Sequence, residues 1–177
     1  DPPMVKIEEA LEMIEKRREW YASGKAISWG IYLKEEQRMI GWLGFYFWDQ
    51  EYYKTELGYT VARPYWRRGI ATEALRTLIQ FGFETMHLHR INVDTRADNL
   101  ASMRLMQKLG FYPEGVRREC IRNEDGSYQN WAMFGMLEQE YRRESPAAMS
   151  ARSPTGRRQQ EARVTQRRRC FVSGMLE

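Results

Sequence analysis

The residues with the clearest chemical potential form one stretch, Val61-Ala62-Arg63-Pro64-Tyr65-Trp66-Arg67-Arg68-Gly69-Ile70-Ala71-Thr72. It leaves an alternating strand pattern over residues 56–61. It then enters a helical pattern in which Ala71, Ala74, Leu75, Leu78, Ile79 and Gly82 share one face. A strand that runs through a short basic loop into a helix gathers several unpaired backbone N–H groups at one spot, with the positive end of the helix dipole behind them. Such a place binds phosphate. Gly69 lets a phosphate approach the backbone because no Cβ intervenes, and Ala71 and Thr72 keep the first turn narrow. An ordinary helix start beside two solvated arginines, Arg67 and Arg68, accounts for the same residues equally well. Other reactive side chains carry less. His87 and His89 fall between a helix and a strand with no third ligand, so no metal is expected. Cys120 and Cys170 have neither metal spacing nor a pairing pattern and fit a reducing compartment.

The elements that would position the loop follow from periodicity. Residues 4–21 read as an amphipathic helix stopped at Ser23-Gly24-Lys25, and residues 26–34 and 39–48 as a strand hairpin. Residues 56–61 form a third antiparallel strand, so three strands precede the basic loop. The helix after it runs to about Met86, and residues 90–95 make a β-branched strand, giving a strand-helix-strand unit with parallel neighbours. Residues 99–109 form a second helix that stops at Gly110. Residues 111–119 are a strand whose Pro113 and Gly115 point to a bulge or an edge, and a turn at 123–127 returns the chain through a last strand, 129–137. The fold class is α+β: a mixed, mainly antiparallel sheet with helices packed on it.

Size and charge bound the function classes. With 177 residues, 42% of them hydrophobic and 13% aromatic, the chain fits one packed domain. No apolar run approaches the ~20 residues a membrane span needs, and no secretory signal is visible, so the cytoplasm is the expected compartment. The formal net charge of +4 is unevenly placed. Residues 145–177 carry seven arginines and two glutamates, +5, whereas residues 1–144 carry 21 basic and 22 acidic side chains, −1. Nucleic-acid binding is therefore expected only through the basic tail. The division reads as a domain over 1–144 and a low-order tail over 145–177.

Several motifs together resemble a known family. Glu56-Leu57-Gly58-Tyr59, Pro64-Tyr65-Trp66-Arg67-Arg68-Gly69-Ile70-Ala71-Thr72-Glu73-Ala74-Leu75, His89-Arg90-Ile91, Asp98-Asn99-Leu100-Ala101-Ser102 and Lys108-Leu109-Gly110-Phe111 occur in the order and spacing of the GNAT superfamily of acetyl-CoA-dependent N-acetyltransferases. Trp66 before the basic pair is similar to the RimJ/RimL branch, whose members acetylate ribosomal-protein N-termini. The resemblance implies acetyl-CoA as cosubstrate and no metal. Its pyrophosphate would lie on Arg67, Arg68, Gly69, Ala71 and Thr72, its pantetheine would run along the strand ending at Thr60 and Val61, and Asn99 would steady the arm or cap its helix. It also implies direct attack of a primary amine, from a protein N-terminus or a small molecule, on the thioester. Glu56 is the expected base, with a solvated or salt-bridged strand glutamate as the alternative, and Ser102 is the expected polar group near the sulfur. Tyr59 reads as core. The tyrosine that some members place about seven residues after the asparagine is Met106 here, which excludes a tyrosine acid at that site. Family members open with a strand and a short helix that find no counterpart here, so an inactive acyl-CoA-binding module is the alternative function. A monomer or homodimer is expected.

Overall fold

The computed structural model describes residues 7–144 and 170–174. In chain order these residues form α1 (Ile7–Ala22), β1 (Ala26–Leu33), β2 (Arg38–Asp49), β3 (Lys54–Val61), a 3-10 turn at Arg63–Tyr65, α2 (Ile70–Glu84), β4 (Arg90–Arg96), α3 (Leu100–Lys108), β5 (Tyr112–Arg122), β6 (Tyr128–Leu137), α4 (Glu138–Glu144) and β7 (Cys170–Gly174). The strands make one seven-stranded sheet in the order β5-β6-β4-β3-β2-β1-β7. Every neighbouring pair is antiparallel except β3 and β4. That pair is joined through α2, as the strand-helix-strand reading requires.

The core lies between the sheet and α2. Ala74, Leu75, Leu78, Ile79 and Phe83 of this helix are buried against Phe45, Leu57 and Ile91 of the strands. Gly82 allows the close contact, because a Cβ there would stand 2.8 Å from Phe45 Cζ and 3.1 Å from Ile91 Cδ1. Tyr141 of α4 stacks on Phe83 with ring centroids 4.9 Å apart. The opposite face of the sheet carries α1, held by an edge-to-face contact of Trp20 with Tyr46 and by Arg17, which lies 4.0 Å from the Trp42 ring centre and donates to Tyr46 Oη at 2.9 Å.

The sequence-derived elements recur with shifted ends, and two features depart from them. α4 has no counterpart in the periodicity, since its seven residues are too short to show one. The segment read as a low-order tail places Cys170–Gly174 beside β1 as the outermost strand, with Trp29 opposite Gly174 and Leu33 opposite Cys170. A five-residue strand in an arginine-rich context carries almost no pattern of its own, so pairing rather than propensity assigns it. Residues 4–6 of the first predicted helix, and 145–169 and 175–177 of the tail, lie outside the described residues. The bulge expected near Pro113 and Gly115 is present on the edge strand β5.

Candidate active site

β3 and β4 pair over three positions alone, Lys54 with Arg90, Thr55 with Ile91 and Glu56 with Asn92. β3 continues to Val61 beside β2, and β4 continues to Arg96 beside β6. The strands therefore diverge after Glu56, and a wedge-shaped notch opens between Leu57–Val61 on one wall and Val93–Arg96 on the other. Backbone bordering such a notch can pair with an extended ligand as it would with another strand.

The basic loop closes one end of the notch. Pro64 sits inside the 3-10 turn, and the Trp66 indole N–H donates to the carbonyl of Val61 at 2.5 Å, folding the loop back on the end of β3. Arg67 has φ +59° and Gly69 φ +82°. Two left-handed residues with one between them curl the chain into the first turn of α2. Gly69 is the N-cap and has no side chain to satisfy the helix's first N–H groups, while a Cβ built on it meets nothing within 4 Å. The N–H groups of Ile70, Ala71 and Thr72 thus have no side-chain cap from Gly69, and a helix start of this kind can take an anion. Arg68 lies 3.9 Å from Glu36 and 5.3 Å from the Tyr65 ring centre, and the Tyr65 hydroxyl donates to Glu36 as well.

Glu56, Gly58 and Thr60 face the α1 side of the sheet, and Leu57, Tyr59 and Val61 face the helices α2 and α3. Glu56 is half-buried at the last paired position, where the notch begins. Burial pushes its carboxyl above the ordinary range, the nearby Asp94 carboxylate pushes the same way, and Arg117 opposes both. Asp94 stands two residues beyond Asn92 on the same face of β4 and pairs with Arg117 of β5 at 3.0 Å. Tyr46, in register with Glu56, leans over Gly58, where a Cβ would lie 3.0 Å from Tyr46 Cε2 and 3.8 Å from Trp42 Cζ3. The indole N–H of Trp131, opposite Arg96, is buried without a hydrogen-bond partner among the described residues.

On the helix side the loop before α3 supplies the other candidates. Asn99 caps α3, its Oδ1 accepting from the Ser102 backbone N–H at 3.1 Å, while Asp98 pairs with Arg96. Ser102 is 7% exposed and accepts a hydrogen bond from the Tyr59 hydroxyl at 3.0 Å. Tyr59 is thus more than core packing: its ring is half-buried, but its hydroxyl ties the β3 wall of the notch to the helix that follows β4. Met106 is fully buried.

The structure therefore brings Glu56, Thr60, Val61, Asn99 and Ser102 to the notch and Arg67, Arg68, Gly69, Ala71 and Thr72 to its loop end. The Asp94–Arg117 pair, Tyr46, Arg17 and the Tyr59 hydroxyl are additions that local sequence did not disclose. Alternation alone puts Asn92 and Asp94 on one face, but their meeting with Glu56 depends on parallel register. Among the described residues no cluster of His, Cys, Asp or Glu could hold a metal ion, and no helix is long and apolar enough to cross a membrane.

A mixed sheet splayed at its parallel pair, with helices flanking it, is the GNAT acetyltransferase fold. The chain belongs to the GNAT acetyltransferase family, whose acetyltransferase (GNAT) domain model matches residues 2–112. It is 36% identical over 127 residues to the uncharacterized N-acetyltransferase YoaA of Bacillus subtilis, covering 72% of this chain and 68% of that one. It is 28% identical to the ribosomal protein uS5-alanine N-acetyltransferase of Escherichia coli, over 58% of this chain and 54% of that one. A dodecameric spermidine N-acetyltransferase from Vibrio cholerae shares the fold, with TM-score 0.66 and 18% identity over 73% of this chain and 75% of that one. The protein is an N-acetyltransferase, and enzymes of this family use acetyl-CoA as cosubstrate to acetylate an amine.

Proposed function

We propose that the chain acetylates a primary amine, on a protein N-terminus or a small molecule, by direct attack on the thioester in the notch between β3 and β4. The observation that carries this reading is the three-pair β3–β4 ladder with the open Gly69 helix start at its end. Bound acetyl-CoA supplies the activated acyl carbon. The N–H groups around Gly69, Ala71 and Thr72 hold its pyrophosphate, with Arg67 and Arg68 adding charge, and the walls at Thr60, Val61 and Asn99 line the arm.

Thioesters are already reactive, so positioning and proton removal are the main demands on the protein. A backbone N–H near Val61 polarises the acyl carbonyl. Glu56 takes the proton from the attacking amine. A carboxyl raised by burial suits that task better than an ordinary surface glutamate, because its proton affinity lies nearer the working pH. Ser102 stands by the sulfur. The amine enters on the α1 side, past Tyr46 and Trp42, and the loops at 49–54 and 123–128 select it.

The deciding assay follows thiol release from acetyl-CoA with a panel of peptides, amino acids and polyamines. Acceptor-dependent release that Glu56→Gln lowers by about 10²-fold or more supports the reading. Normal CoA affinity in a Gly69→Glu variant would refute the phosphate loop.

A further inference from the structure

The arginines along the far wall of the notch on the α1 side are neutralised: Arg90 pairs with Glu114, Arg96 with Asp98 and Arg117 with Asp94. Arg17 of α1 differs. It is half-buried, and its contacts are the Tyr46 hydroxyl at 2.9 Å, the Met13 sulfur at 3.7 Å and the Trp42 ring centre at 4.0 Å. No acid partners it among the described residues. The Trp42 ring covers one face of the guanidinium and holds the plane, so its edge N–H groups stay free to donate.

Two hydroxyls extend the same cluster. Tyr46 Oη accepts from Arg17 and lies 3.2 Å from Ser28 Oγ, with either oxygen able to donate to the other. One hydroxyl hydrogen occupies that contact, and the second has no acceptor among the described residues. Arg17, Tyr46 and Ser28 are thus rich in donors and short of an acceptor. Their place relative to the chemistry is fixed by register. Tyr46 is paired with Glu56, and its ring lies over Gly58, so the tyrosine runs from the position beside the proposed base to the guanidinium.

We propose that Arg17, with the hydroxyls of Tyr46 and Ser28, binds a carboxylate on the acceptor, so that the enzyme favours amines bearing an acidic group several bonds from the attacking nitrogen. The inference rests on the acetyl-transfer reading above and names the substrate class for that site. A carboxylate offers two coplanar acceptors, which match the guanidinium edge, and its single charge balances the single unpaired cation. Glu56 and Asp94 lie at the notch end of Tyr46 and attract the amine, whereas Arg17 lies at the other end and attracts the acid. The two poles orient the acceptor with its nitrogen towards the thioester. An α-amino acid does not reach both poles, because a tyrosine's length separates them.

The test compares each acid with its own amide in the thiol-release assay on the full chain: glycine, β-alanine, γ-aminobutyrate and its longer homologues, and the peptide Ala-Glu-amide against Ala-Gln-amide. The acid is expected to exceed its amide in kcat/KM by about 10- to 100-fold for the longer members or the peptide, and not for glycine. A preference found only in the free acids identifies a small molecule, and one found only in the peptide identifies a protein N-terminus. Arg17→Gln is expected to bring the ratio close to one, Arg17→Lys to an intermediate value, and Ser28→Ala to lower it by about 3- to 10-fold. A wild-type ratio near one throughout, or an Arg17→Gln variant that slows acid and amide alike, overturns the inference, since the guanidinium then serves only to fasten α1 to the sheet. If Arg17→Gln does not fold, Arg17→Lys and Ser28→Ala decide on the same ratio. Thiol release with none of these amines counts against acetyl transfer itself. Calorimetry of γ-aminobutyrate and its longer homologues against the CoA-loaded chain then decides the carboxylate site, which stands if Ser28→Ala or Arg17→Lys weakens binding and falls if binding is absent or unchanged.

Discussion

As the proposed base, Glu56 would trade stability for proton affinity. Its carboxyl is raised chiefly by burial, so between the ordinary carboxylate range and its raised value the folded protein holds a proton that the unfolded chain has lost. Stability therefore falls as pH rises through that window. Glu56→Gln removes the buried charge, and the variant is expected to gain thermal stability over wild type at pH 7 and lose that gain at pH 4, while turnover drops. Melting curves at the two pH values check the sign. Asp94 is the second cause of the shift, so Asp94→Asn is expected to move the acid limb of kcat/KM to lower pH. Arg117→Gln, which removes the opposing cation and leaves Asp94 unpaired, is expected to move it higher. An acid limb unmoved by either change would place the titrating group elsewhere.

Among the elements, β2 is the one whose tolerance is most constrained. A Cβ at Gly41 would stand 2.2 Å from the Thr60 carbonyl oxygen, which is backbone and cannot step aside. Gly41→Ala is expected to cost about 1–3 kcal/mol and to weaken CoA binding, because relief comes only by shifting the end of β3 that forms the notch wall. Denaturant unfolding with calorimetry in parallel measures both. Gly69→Ala poses a different problem. There is room for the methyl, but φ +82° costs a non-glycine residue about 1–2 kcal/mol, and the methyl enters the space in front of the helix. These elements were largely legible from sequence. Period 2 and period 3.6 marked β1–β4, β6, α2 and α3 because each buries part of its surface, whereas α1 and β5 follow their patterns with Ile7, Leu11 and all of β5 left exposed, and Gly110 and the Pro113 bulge marked where elements end or bend. The site was legible where motif and position coincide, as at Gly69 and Asn99. It was hidden where it depends on register between distant segments, as at Asp94 and Arg117, or on where a side chain's tip reaches, as at Tyr59. The sequence pattern put Tyr59 in the core by its strand face, and only the tertiary fold reveals that its hydroxyl meets Ser102.

At the scale of the whole molecule, β7 covers the outer edge of β1. A chain ended after residue 144 exposes that edge and is expected to melt lower and to self-associate, as unpaired edge strands do. Calorimetry and light scattering on the shortened chain test this, and an unchanged melting point would show that β7 adds nothing to stability. The same truncation takes the net charge from +4 to −1, so any salt-dependent binding to nucleic acid is expected to vanish with it. The short β3–β4 ladder has a mechanical consequence. The strands divide into two half-sheets, β7-β1-β2-β3 and β4-β6-β5, stitched to each other by three residue pairs and by the helices above. A ligand whose amides bond into the wedge acts as a clasp between the halves. CoA at 100 times its Kd adds about 2.7 kcal/mol to stability, or roughly 5–10 °C in Tm for a chain of this size. Hydrogen exchange locates the effect: amides of residues 57–61 and 93–96 are expected to slow most when CoA is added, those of β1 least. The cosubstrate would then be, for the moment it is held, the missing seam of the sheet.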